Sequence, residues 1–151
     1  MSQHKMQVSA IENGTVIDHI PVKSLFDVIL ILGLDNIENQ ITFGANLDSK
    51  KQGKKGIIKV SDKYFENDEI NKIALVAPHA KLNIIEDYFV AEKRDVIIPD
   101  IVTGIVKCFN PKCVTNHEAI VTRFKVENKE VLALKCHYCE KITTRDELLV
   151  I

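Results

Sequence analysis

The alternation of apolar and polar positions changes period several times along the chain. In MQVSAIENGTVIDHI, residues 6–20, two β-rich runs flank Asn13-Gly14, and Asn-Gly between such runs predicts a two-residue hairpin turn. In PVKSLFDVILILGL the spacing becomes helical. Pro21 suits a helix start, Leu25, Phe26, Ile29 and Leu32 share a predicted face, and Gly33 suits the end. Val28, Leu30 and Ile31 make the second half of this helix apolar on nearly all sides, which predicts cover beyond one sheet face, as from a subunit partner.

NQITFGANL predicts a further strand, DSKKQGKKG a lysine-rich loop, and IIKV a short strand. ENDEINKIALVAP predicts an amphipathic helix. Asn67 would cap it, Asp68 and Glu69 would sit at its positive end, Ile70, Ile73, Ala74 and Ala77 would line one side, and Pro78 would stop it. KLNIIEDYFVAEK predicts one or two strands. The order hairpin, helix, strands, helix, strands suits an α+β sandwich with both helices on one face of an antiparallel sheet.

VIIPD reads as a linker, with Pro99 fixing an extended connection, and divides residues 1–98 from 99–151. The second segment holds short β runs (IVTGIVK, AIVTRFKV, VLALK) and all four cysteines. A piece that small needs a staple to supplement its core.

Cys108 and Cys113 close a C-x4-C spacing, and Cys136 and Cys139 a C-x2-C spacing. Two such knuckles brought together supply four thiolates in a tetrahedron, the geometry zinc takes in closed structural sites. A redox C-x-x-C would leave Cys108 and Cys113 without a role. A zinc deaminase needs H-x-E, and here Glu118 directly follows His117. With four cysteine ligands no position stays open for water or substrate, so the ion would be structural. Lys107 and Lys135 stand next to ligands, where they can soften the centre's negative charge or simply be solvated.

Composition narrows the class. Hydrophobic residues make up 46% and charged residues 27%, as in globular proteins, and a net charge of −1 argues against bulk-charge binding to nucleic acid. No apolar run approaches the roughly 20 residues of a membrane span, and the N-terminus lacks a signal-like stretch, so a cytoplasmic protein is expected. Lys50, Lys51, Lys54, Lys55 and Lys59 cluster with Gly53 and Gly56 but form no P-loop; such a run is a solvated loop or one wall of an anion site. Asp18-His19 offers a carboxylate and an imidazole with the same ambiguity.

Taken together, GTVIDHIP, GKKGIIKV, VAPHAKLNIIEDY and the C-x4-C…C-x2-C ending resemble the regulatory chain of aspartate carbamoyltransferase, from about Gln7 to the last strand. The resemblance implies a non-catalytic subunit of pyrimidine biosynthesis. Its N-terminal ferredoxin-like domain would bind nucleoside triphosphates and pair with a second regulatory chain. Its small all-β zinc domain would dock onto a catalytic chain. CTP, alone or with UTP, would inhibit and ATP activate, with Mg2+ accompanying the triphosphates.

The same resemblance implies site roles. The main chain at Ala10 and Ile11, with Tyr88, would read the base; Asp18 and Lys59 would hold the ribose; His19, Lys55, Lys93 and the backbone near Val90 would receive the phosphates; Asn83 and Ile85 would line the pocket. His4 and Lys5 would lie on an arm near a second nucleotide or a metal-linked pair. Ser9 departs from the acidic residue that related chains can carry. Two rivals remain at this stage: a zinc-ribbon nucleic-acid-binding protein, whose basic character acidic residues such as Glu127, Glu130 and Glu140 dilute, and a small zinc enzyme, which would need a three-ligand site.

Overall fold

A computed structural model of the chain describes residues 10–50 and 53–151. It forms two compact units, Met1–Ile97 and Ile98–Ile151. The first contains β1 (Gly14–Ile20), α1 (Leu25–Ile31), β2 (Ile41–Ser49), β3 (Gly53–Ser61), α2 (Asn67–Asn71), β4 (Lys81–Glu86) and β5 (Phe89–Asp95). Its antiparallel sheet has the order β2-β3-β1-β4-β5. Without the added edge strand β5 this is the ferredoxin-like β-α-β-β-α-β arrangement.

Register decides which residues share a face. Thr15 pairs with Val60 and Ile84, and Ile17 with Ile58 and Leu82. These side chains meet Leu25 and Val28 of α1 and Ile70, Ile73 and Leu75 from the second helical segment in a core where most are fully buried. Burying each large aliphatic side chain contributes about 1.5–3 kcal/mol, which holds the helices to this side of the sheet.

Several local expectations change. The segment preceding Ala10 lies outside the described residues. The first run of the hairpin expected around Asn13-Gly14 falls mostly there, while Asn13 itself makes two hydrogen bonds to distant segments. The Asn13 carbonyl accepts from the Asp62 N–H (2.9 Å), and its side-chain oxygen accepts from the Asp87 N–H (3.1 Å). In α1 the buried face is Leu25, Val28 and Leu32, whereas Phe26 is 63% exposed. Phe26 instead meets Phe43 of β2 edge to face at 5.8 Å.

The lysine-rich stretch is largely strand, since Asp48 pairs with Lys54 and Leu47 with Lys55 in the β2–β3 hairpin. Lys51 lies outside the described residues. The second helix is capped by Glu66, not Asn67, through a reciprocal capping box with Glu69, and it tightens to a 3-10 turn over Lys72–Leu75. Asp87 and Tyr88 both take left-handed backbone, which makes β4 and β5 a tight hairpin.

The second unit is a four-stranded antiparallel sheet, β6 (Ile101–Thr103), β7 (Arg123–Asn128), β8 (Ala133–Cys136) and β9 (Ile142–Thr144), in sequential order. Its core holds Val102, Val106, Phe124, Leu132 and Leu134. The buried Thr122 hydroxyl donates to the Val106 carbonyl at 2.8 Å. Among the described residues no helix is long and apolar enough to cross a membrane.

Candidate metal centre and ligand-binding face

β8 carries Cys136 at its end, and a turn returns Cys139 beside it; the Glu140 N–H donates to the Cys136 carbonyl at 3.0 Å. The first knuckle closes through the Cys113 N–H to the Asn110 carbonyl, also 3.0 Å. Asn116 clamps it by donating to the carbonyls of Cys108 (3.1 Å) and Asn110 (2.7 Å), and His117 Nε2 lies 2.8 Å from the Pro111 carbonyl. The Thr115 hydroxyl donates to Cys113 Sγ at 3.2 Å.

All four sulfurs lie within 4.8 Å of one another, with Cys108–Cys139 at 3.6 Å and Cys113–Cys136 at 3.7 Å. Four sulfurs at about 2.3 Å from one ion form a tetrahedron with edges of about 3.8 Å, whereas a disulfide needs about 2.05 Å. The residues therefore fit a tetrahedral metal ion, and their thiols are free of disulfides.

Burial pushes the thiols of Cys108 and Cys136 up, and hydrogen bonding with neighbouring thiols adds to it. Burial acts in the same sense on Cys139, but the Lys141 backbone and the Asn110 side chain, with its thiol neighbours, outweigh it and bring Cys139 to about 7. Packing so many thiols out of water favours their protonated forms unless a cation balances the thiolates.

On the first unit's sheet, the face opposite the helices carries Asp18, Lys59, Asn83 and Lys93 among the residues singled out from sequence. Register aligns Lys59, Val16, Asn83 and Lys93 in one row across four strands. The next row is Asp18, Lys81 and Asp95. Lys55 reaches Asp18 with Nζ 2.9 Å from Oδ1 and 3.1 Å from Oδ2. A bulge between Ile17 and Ile20 puts His19 in left-handed backbone, and its N–H donates to Asp18 Oδ1 at 2.7 Å. The His19 Nδ1 atom is buried and has no hydrogen-bond partner. Lys59 is 6% exposed; desolvation lowers its pKa, and the charge of Asp18 opposes that shift.

A cavity of about 520 Å³ is lined by Asp18, His19, Lys81, Asn83, Lys93, Arg94 and Asp95. Ala10 and Ile11 line a separate cavity of about 230 Å³, with Glu12, Asn13, Gln40, Thr42, Ser61 and Asp62. Tyr88 and Val90 are exposed near the β4–β5 turn, and the Tyr88 N–H donates to the Glu12 carbonyl at 2.8 Å, which ties that turn to the Ala10-Ile11 segment. Ile85 is buried opposite Val90.

Sequence reading missed Lys81 and Asp95, which strand register alone brings beside Asp18. It also missed Arg94, which Glu92 (2.7 Å) and Asn67 (3.1 Å) already engage. His4, Lys5 and Ser9 lie outside the described residues.

A ferredoxin-like sheet with a cation-lined open face, followed by a small β unit that gathers four thiols, defines a two-domain metal-binding protein. Residues 6–97 match the family model for the aspartate carbamoyltransferase regulatory chain, allosteric domain, and residues 100–149 match the one for the metal binding domain. The aspartate carbamoyltransferase regulatory chain of Bacteroides fragilis is 56% identical over the whole of both chains. That of Parabacteroides distasonis is 52% identical over 97% of this chain and 95% of its own. That of Pyrococcus abyssi is 48% identical over 96% and 97%. The chain belongs to the aspartate carbamoyltransferase regulatory chain family and is a regulatory, non-catalytic subunit.

Proposed function

We propose that this chain senses nucleoside triphosphates on the open face of its first sheet and transmits their occupancy to an aspartate carbamoyltransferase catalytic chain. In this reading CTP, alone or with UTP, inhibits, ATP activates, and the regulated reaction is the first committed step of pyrimidine synthesis in the cytoplasm. The observation that carries it is the row Lys59–Val16–Asn83–Lys93 beside the Asp18–Lys55 pair and the unpartnered His19 Nδ1. A buried nitrogen without a partner is costly, and a phosphate oxygen or its bound Mg2+ shell would satisfy it.

Asp18 can accept ribose hydroxyls. Lys55 and Lys93 supply positive charge for a triphosphate of about four negative charges at neutral pH, and the His19 ring offers a hydrogen-bonding nitrogen beside them. Ala10, Ile11 and Tyr88, with Asn83, Ile85 and Val90, are assigned to the base and the pocket wall. The site serves as a sensor: binding energy shifts an equilibrium only to the extent that the two assembly states bind the nucleotide differently.

Lys93→Ala and Lys55→Ala are expected to weaken CTP and ATP alike, because phosphates carry no base information. Each change should cost roughly 1.5–3 kcal/mol, and less where solvent screens the contact. Equilibrium dialysis with both nucleotides reads this directly, and unchanged affinity in both variants would put the site elsewhere.

The thiolate set is assigned to structural zinc, since a soft tetrahedral four-sulfur site selects that ion among the common divalent metals. The second unit is assigned to docking on the catalytic chain. Pairing of two regulatory chains is assigned to the first unit, where Phe26, Leu30 and Phe43 leave an apolar patch on α1 and the edge strand β2. Phe26→Asp should shift the isolated chain from dimer toward monomer in analytical ultracentrifugation. An unchanged sedimentation coefficient across a concentration series would remove this face from the interface.

A further inference from the structure

The outer face of the second unit's sheet bears a cationic array to which the proposed function gives no specific role. Lys125 of β7 stands directly opposite Lys135 of β8. One register step away the His137 N–H donates to the Arg123 carbonyl at 2.8 Å, placing that pair alongside. Arg123 and Lys125 point to the same side, as residues two apart on a strand do. The array therefore measures about 5 Å across the strands and about 7 Å along them.

Like charges directly opposite on neighbouring strands are destabilising. Among the described residues Lys135 finds only Glu140, at 3.9 Å across exposed solvent, and no ion pair is formed by Arg123 or Lys125. The array does not stand on a flat surface. Arg123, Lys125, Lys135 and His137, with Ile101 as an apolar wall and Glu140 as the one acidic lining residue, line an open cavity of about 270 Å³.

We propose that this cavity is a binding site for a phosphate or pyrophosphate group, separate from the nucleotide face of the first unit. A planar guanidinium beside two ammonium groups suits a multiply charged tetrahedral oxyanion, and the bound anion would relieve the Lys125–Lys135 repulsion. The concave shape and the spacing favour a compact anion over an extended acidic surface. The buried metal–thiolate centre behind Cys136 would draw some of this charge, so the metal-loaded chain is the form to test.

The experiment is a titration of the metal-loaded, ¹⁵N-labelled full chain with inorganic pyrophosphate at low ionic strength, followed by NMR. The expected result is saturable shifts of the amides at 123–125 and 135–137. The double variant Arg123→Gln, Lys125→Gln should weaken that response roughly tenfold or more, as loss of charge-assisted contacts predicts, with metal content unchanged. Lys93→Ala should leave it intact. Repeating the titration with ATP in the Lys93→Ala chain identifies the source: shifts at the same amides assign the site to a nucleotide's phosphate tail, and their absence assigns it to a free anion. A response to pyrophosphate that is absent, unsaturable or unaltered in the double variant would overturn the proposal. So would a response confined to a single-stranded oligonucleotide or to the catalytic chain, which would make this face a macromolecular contact.

Discussion

Cys139→Ser is expected to unfold residues 98–151 while leaving residues 1–97 folded. Two sulfur pairs lie at 3.6 and 3.7 Å, close to the edge of a tetrahedral metal cage, all four sulfurs lie within 4.8 Å of one another, and the hydrophobic core they supplement is small. Zinc binding to such sites contributes on the order of 10–16 kcal/mol in apparent terms, more than the whole stability of a typical small domain. Removing one thiolate lowers the affinity and leaves three buried thiols without a balancing charge.

Hydrogen exchange should show the loss of protection confined to β6–β9, and a chromogenic chelator should release about one zinc per wild-type chain. Acid should act in the same direction, because protons compete with the metal for thiolates: metal is held at neutral pH and lost as pH falls. Metal-free chain that keeps full protection in β6–β9 would show that the core suffices alone.

Gly14→Ala should be strongly destabilising to the first unit. Gly14 has φ +138°, and a Cβ built there would lie 2.1 Å from the Val60 carbonyl oxygen, a backbone atom that cannot rotate away. β1 would have to separate from β3, displacing Val16 from Lys59 and disturbing the row that carries the proposed nucleotide contacts. A loss of roughly 3 kcal/mol or more is expected from steric overlap and backbone strain together. Urea denaturation should report it as a lower midpoint for the first unit, with weakened CTP and ATP binding in the surviving folded fraction. A midpoint within error of wild type would mean that the β1–β3 register tolerates the methyl group.

Sequence by itself determined the features set by local chemistry. Cysteine spacing marked the metal centre, because a knuckle needs only a few residues and a turn. Pro99 and the composition on either side marked two segments, and helical and strand periods placed the main elements of the α+β unit. The resemblance pointed to the family that the comparisons support.

Tertiary structure decided what depends on partners distant in the chain. Phe26 and Val28 are equally apolar, yet only the position of the sheet puts Val28 inside and leaves Phe26 against Phe43. Asn13 carries a turn signal in the sequence, but only the fold shows that its carbonyl and side-chain oxygens accept from the distant Asp62 and Asp87 N–H groups. The lysines at 54 and 55 read as loop until β2 pairs with them, which turns Lys55 toward Asp18. Lys81 and Asp95 carry no local signal; they reach Asp18 only because side chains in register on antiparallel strands share a face. The cationic cavity over β7 and β8 arises in the same way, from a register that sets Lys125 against Lys135, residues that the sequence keeps ten positions apart.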